Sequence, residues 1–275
     1  YRCPSINAWH WASVATVATI SVKQGLRKSS SSRVIRAADP GSEFTVDGRG
    51  TVIVLPNEDE VLEAIAEETA SCACTAIEEK GAFSICVPGS FGPADGKAFA
   101  GAQLIAKSLS ILSQEDLQFD KWHVFFAGER LDSQESFLLA KQWIDQSQIP
   151  SSQVHPIPQL PGAAEGAAAQ YTAEICMQDE SVLMDSDQGL PAVDLLLLDM
   201  APDGTVGRLR PDSSEVLEVG SGKLILPIEE QGAEAAIAAP DFMNAARCAV
   251  IVATGEACAP TMKRALGSAS PSCPA

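Results

Sequence analysis

Val193-Asp-Leu-Leu-Leu-Leu198 is too continuously apolar for a strand with one wet face, so it must run through the centre of a sheet covered on both sides. Outward from it, similar short runs recur along the chain: Thr51-Val-Ile-Val-Leu55, Phe83-Ser-Ile-Cys-Val87, His123-Val-Phe-Phe-Ala127, Lys223-Leu-Ile-Leu226 and Cys248-Ala-Val-Ile-Val-Ala253. Helical patterns fill the gaps between them. Residues 58–80 place Val61, Leu62, Ile65, Thr69 and Ala76 near one face, and 97–112, 134–146 and 260–266 read as further helices. This βα alternation predicts an α/β fold, a three-layer doubly wound sheet that is mostly parallel. Ligands of such sheets bind beyond the C-terminal ends of the strands. The loops after Val87, Ala127, Leu198 and Ala253 are therefore where function is expected.

The composition is that of a folded domain, with 46% apolar residues. The apolar stretches at 12–22 and 195–198 are too short or too interrupted to span a bilayer, so no membrane span is expected. Charge is uneven. Residues 1–38 carry Arg2, Lys23, Arg27, Lys28, Arg33 and Arg36 and no acid, a net +6, while the remaining 13 Lys and Arg face all 36 Asp and Glu, a net −23. A surface this acidic repels phosphate backbones and argues against nucleic acid as a partner. An anionic ligand would need a local basic pocket.

The basic, serine-rich segment 1–38 reads as a targeting leader, with Arg33-Val-Ile-Arg-Ala-Ala38 like a plastid processing site and the preceding apolar stretch like a signal-type core. The chain opens on Tyr1 and not Met, so the expected leader is incomplete. Residues 39–50 read as a linker, 51–266 as the folded domain and 267–275, rich in Ser and Pro, as a disordered tail. The eight cysteines lack the paired spacing of a zinc site, and several sit in apolar runs, so reduced structural thiols are expected. No metal and no cofactor is expected: P-loop, dinucleotide glycine pattern and metal-spaced ligand set are all missing.

Four segments share a further likeness. Lys121-Trp-His-Val-Phe-Phe-Ala-Gly-Glu-Arg130, Val154-His-Pro-Ile157 followed by Tyr171, Leu196-Leu-Leu-Asp-Met-Ala-Pro-Asp-Gly-Thr-Val-Gly-Arg-Leu-Arg-Pro211 and Val252-Ala-Thr-Gly-Glu256 occur in order across the domain. In that order and spacing the domain resembles the 6-phosphogluconolactonase family, a relative of the glucosamine-phosphate isomerases, with a Rossmann-like sheet. Leu209 and Pro211 suit the lactonase branch better. The resemblance implies hydrolysis of a sugar-phosphate lactone, which needs a proton acceptor for water, donors for the oxyanion and a phosphate pocket.

Against that pattern the chain departs at several positions. Thr205 stands where the family has its histidine base, and a hydroxyl cannot take the proton near neutral pH. His123 sits at the start of a strand, away from its C-terminal end, and His155 in a surface-like connection before Pro156; both read as structural. Gly128 replaces the aspartate of Asp-Glu-Arg, leaving Glu129 and Arg130; Phe91 and Pro88 alter the phosphate loop, which keeps Gly89 and Ser90; Cys258 replaces a lysine. Gly204 suits a tight turn, Asp203 is expected to cap a following helix or to act as a relocated base, and Arg208 and Arg210 are new charges on the same loop. By this reading the candidate catalytic residues are Asp203 and Glu129, and the candidate substrate-binding residues are Gly89, Ser90, Arg130, Gly204 and Arg208. Two readings follow. One is a lactonase-like protein with a degenerate site and a binding or assembly role, whose partner is a sugar phosphate or another protein. The other is an active lactonase rebuilt around Arg130, Asp203, Arg208 and Glu129. Loss of a general base typically costs roughly 100-fold to 10,000-fold in rate, which favours the first.

Overall fold

The computed structural model describes residues 17–23, 42–46, 50–89, 100–112, 117–160, 162–230 and 232–267. In chain order the strands are β1 (Val17–Lys23), β2 (Ser42–Val46), β3 (Gly50–Leu55), β4 (Phe83–Val87), β5 (Trp122–Phe126), β6 (Gly128–Arg130), β7 (Val154–His155), β8 (Met184–Asp185), β9 (Pro191–Ala192), β10 (Leu195–Met200), β11 (Ile225–Glu230), β12 (Ala233–Ala238) and β13 (Cys248–Ala253). The helices are α1 (Glu58–Lys80), α2 (Ala100–Ser110), α3 (Glu135–Ser147), α4 (Ala164–Cys176), α5 (Pro240–Ala245) and α6 (Ala259–Gly267).

The main sheet has the order β2-β3-β1-β13-β10-β4-β5-β7. Its heart is five parallel strands, β13 to β7, joined by parallel pairing at every step. Every residue of β4 and β10 is buried, as continuous apolar runs require when both faces of a sheet are covered. The expected mixed α/β architecture with a mostly parallel sheet is what the chain forms.

Local chemistry sets the element ends. Asn57 caps α1: its side chain accepts the backbone N–H of Glu60 at 2.9 Å and its amide returns a bond to the Glu60 carboxylate at 3.0 Å. Glu58, Asp59 and Glu60 then sit at the positive end of the helix dipole. At the far end Gly81 adopts φ 87°, a left-handed turn that stops the helix. The buried face of α1 carries Val61, Ile65, Thr69, Ala73, Ala76 and Ile77, and Thr69 satisfies its hydroxyl on the Ile65 carbonyl. Tyr171 of α4 is fully buried, and its hydroxyl accepts the backbone N–H of Phe126 at 2.9 Å, fastening α4 to the end of β5.

Two expectations need correction, and one strand had not been expected. Residues 223–226 do not add a main-sheet strand: β11 pairs antiparallel with β12, and β12 with β6, in a separate three-stranded sheet. The sequence between 233 and 238, Ala-Glu-Ala-Ala-Ile-Ala, gave no strand signal because alanine carries little β propensity, and only its pairing partners make it a strand. No helix follows Asp203; residues 201–211 fold back as a tight hairpin-like loop.

Two strands come from segments expected to lie outside the domain. Ser42–Val46 of the expected linker pairs with β3, and Val17–Lys23 of the expected leader is inserted antiparallel between β3 and β13. Cleavage near residue 38 would withdraw β1 and leave open edges on both of its neighbours. Of the disordered tail expected at 267–275, Gly267 instead closes α6 and residues 268–275 lie outside the described residues.

Candidate functional site

The loop after β10 is built from turns that only its sequence permits. Asp203 Oδ1 accepts the backbone N–H of Thr205 at 2.9 Å, and the Ala201 N–H donates to the Thr205 carbonyl at 2.9 Å. Val206 bridges to Met200 on one side and Leu209 on the other, closing a two-residue turn at Gly207 and Arg208 with φ 54° and 70°. Gly207 supplies the left-handed angle, and a Cβ there would lie 2.6 Å from Met243 Cε, a side-chain end that would have to move aside. Arg208 holds the left-handed angle despite its side chain and is buried.

Beneath that loop lies Asp199 at the end of β10, 4% exposed. The first turn of α2 packs directly on it: a Cβ on Gly101 would lie 2.7 Å from Asp199 Cβ. Burial pushes the Asp199 carboxyl up to about 7, against the opposing pull of the Arg208 charge and of the Ala102 backbone N–H. Its Oδ2 has no hydrogen-bond partner. Among the expected site residues the sequence reading passed over Asp199, although it is the one acid in Leu195–Met200 and stands where the lactonase pattern has glycine. A lone carboxylate in an otherwise apolar central strand was the signal.

The structure disperses the other candidates. Glu129 on β6 is buried, and its two oxygens accept the backbone N–H groups of Arg130 and Ser136 at 3.1 Å and of Phe137 at 2.8 Å. It thereby serves the N-terminal turn of α3, and burial pushes it up to about 7 despite those bonds. Arg130 makes a two-pronged contact with Asp132, at 3.0 and 2.8 Å, on the outside of the molecule. Gly89 meets β6 backbone to backbone, its absent Cβ 3.0 Å from the Gly128 carbonyl oxygen; Ser90 lies outside the described residues. Gly204 at φ 97° is crowded by Pro211 and Thr261. Thr205 is buried and Asp203 is exposed. Cys258, in the place of the lysine, is buried beside the Met200 carbonyl at 3.6 Å, and burial raises its thiol.

The histidines form a separate chain at the sheet edge. His155 Nδ1 lies 2.9 Å from Glu174, its Nε2 3.1 Å from His123 Nδ1, and its ring stacks on Phe125. Burial first, and the neighbouring His155 second, lower His123 to about 4. These rings are held among themselves at the β5/β7 edge.

What the fold and its loop cluster define is an α/β protein with a mostly parallel central sheet and its candidate site at the carboxyl ends of the parallel strands. The chain belongs to the family described as glucosamine-6-phosphate isomerases/6-phosphogluconolactonase, whose model matches residues 56–275. It is 32% identical over 180 residues to "Probable 6-phosphogluconolactonase 3, chloroplastic" of Oryza sativa, a match covering 61% of this chain and 50% of that protein. It therefore spans about half the length of those rice relatives. A 6-phosphogluconolactonase of a Nostoc species is 27% identical over 212 residues, covering 74% of this chain and 80% of its own. In structure, the 6-phosphogluconolactonase of Trypanosoma brucei matches with a TM-score of 0.54 at 15% identity, over 69% of this chain and 76% of that one. A monomeric glucosamine-6-phosphate deaminase matches at 0.55 and 14%, over 79% and 88%. At such identities these two matches speak for the fold alone. No helix among the described residues is long and apolar enough to cross a membrane.

Proposed function

We propose that this chain is a lactonase-like member of its family in which lactone hydrolysis is lost or greatly reduced, and which acts as a binding or assembly component. One observation carries this reading: Thr205 holds the base position, while the two candidate replacements are engaged elsewhere, Asp203 in its turn with the Thr205 N–H and Glu129 at the start of α3. Arg130, tied to Asp132, and Cys258, in place of a lysine, weaken the case for a phosphate pocket in the same direction. The ligand class that fits the family is a sugar phosphate; a protein partner is the alternative. A plastid location is supported by the acid-free basic segment 1–38 and by the chloroplastic designation of the rice relatives; removal of 1–38 as a leader would take β1 out of the sheet.

The test is hydrolysis of 6-phosphogluconolactone by the purified chain, corrected for spontaneous ring opening. The expected rate is at or near background, roughly 100-fold or more below that of active lactonases assayed alongside. A rate matching those enzymes would overturn the proposal. Thr205→His alone is expected to stay near background, because an imidazole restores the base and none of the phosphate contacts.

A second reading, an active enzyme with a rebuilt site, is favoured by Asp199: a carboxyl near pKa 7 with an unpartnered oxygen at the end of the central strand has the properties of a general base. It requires a hydrolysis rate that rises through about pH 7 and collapses in Asp199→Asn.

A further inference from the structure

We infer that Glu68, Cys72 and Cys248 form a binding site for a thiolate-seeking divalent cation, zinc or cadmium, at the end of the sheet opposite the candidate functional site. Glu68 and Cys72 are one helical turn apart on α1, and Cys248 opens β13, so two rigid elements present the three side chains. Cys72 Sγ lies 3.8 Å and Cys248 Sγ 3.6 Å from the same Glu68 oxygen, and all three ligand atoms fall within 4.8 Å of one another. With Zn–S near 2.3 Å and Zn–O near 2.0 Å, the sulfur-to-oxygen edge of a tetrahedron is about 3.5 Å. The two sulfur-to-oxygen edges need only a few tenths of an ångström of adjustment, and the sulfur-to-sulfur edge, within 4.8 Å, would close toward about 3.8 Å.

Donor chemistry points the same way. Two thiolates and one carboxylate suit a borderline-soft cation and leave a fourth position for water. Binding exchanges the two thiol protons, released to solvent, for one dication. Cys248 is buried and fixed by its N–H to the Asp194 carbonyl at 3.1 Å, while Cys72 and Glu68 are half-buried and give the ion an entry path. The sequence hid the site because Cys248 stands 180 positions from Glu68, and metal motifs are recognised by short spacing. A bound ion would clamp α1 to β13.

Cadmium titration of the reduced, metal-free full chain tests this, in a Cys3→Ser/Cys74→Ser/Cys176→Ser/Cys273→Ser background that removes the two terminal cysteines and the exposed thiols among the described residues. The expected result is thiolate-to-cadmium charge-transfer absorption that saturates at one ion per chain and is competed away by zinc. Cys72→Ser should abolish the band, and Glu68→Gln should weaken binding at least tenfold with the band retained. Cys248→Ser, which alters a buried position, is read only alongside its circular dichroism; Cys72→Ser carries the test if that variant does not fold. Absence of a saturating band, its persistence in Cys72→Ser, or a Cys72–Cys248 disulfide in protein purified without reductant would each overturn the inference.

Discussion

Asp199→Asn is expected to stabilise the protein at pH 8 by a few kcal/mol and to change little at pH 4. In the native state burial holds the Asp199 carboxyl up to about 7, from an ordinary value of 3.8. Between those two values the native state keeps a proton that the unfolded chain has released, so stability falls as pH rises across the window and levels off above it. Each unit of difference is about 1.4 kcal/mol, which puts the full penalty on the order of 4 kcal/mol above pH 7. Asparagine keeps the shape and an acceptor oxygen for the Ala102 N–H, and has no charge to desolvate. Well below 3.8 both side chains are neutral in both states and the difference closes. Urea unfolding of the two proteins from pH 4 to pH 8 measures it; parallel curves with no divergence above pH 5 would refute it. The companion change Glu129→Gln is no such gain, since both oxygens of Glu129 accept backbone N–H groups and an amide nitrogen would confront one of them.

The contrast between these two carboxylates shows how far the sequence could be read. Four of the five parallel strands were legible as apolar runs, and the first helix by its cap, amphipathic face and terminal glycine; β7, a two-residue strand whose His155 read as part of a surface connection, was not. β12 was not, because an alanine-rich strand owes its conformation to partners distant in sequence. Nor was β1, whose basic surroundings read as leader while its β-branched residues, Val17, Thr19, Ile20 and Val22, pair in the sheet. At the site, Glu129 was singled out by motif and Asp199 was not. Motif likeness ranks residues by position in a pattern, whereas burial ranks them by what the folded chain does to their charge. Arg130 shows the same limit: its place in the motif was readable, but the Asp132 that takes up its guanidinium lies two residues beyond it.

Asp194→Ala is expected to be the most damaging single substitution outside the apolar core, costing about 3–5 kcal/mol. Asp194, 4% exposed and just before β10, is bonded to α1, to β4 and to Arg247 ahead of β13. Its Oδ2 accepts the backbone N–H and the hydroxyl of Ser84, both at 2.8 Å, and lies 3.0 Å from Lys80 Nζ; its Oδ1 accepts Arg247 Nη1 at 3.0 Å. Lys80, at the end of α1, is itself nearly buried and also donates to the Ser181 and Val182 carbonyls at 2.8 Å. Burial already lowers its ammonium, with Asp194 as the chief opposing influence. Truncation would leave that ammonium without its carboxylate and two Ser84 donors without an acceptor, whereas Arg247 would retain Glu79 at 2.6 Å. The loss should therefore come mainly through Lys80. Adding Lys80→Met to Asp194→Ala should recover part of the stability, because it removes the stranded charge. Urea midpoints of the wild type, the single and the double variant decide the matter: a single-variant loss under about 1 kcal/mol, or a double variant less stable than the single, would show that the buried pair does not hold α1, β4 and β10 together.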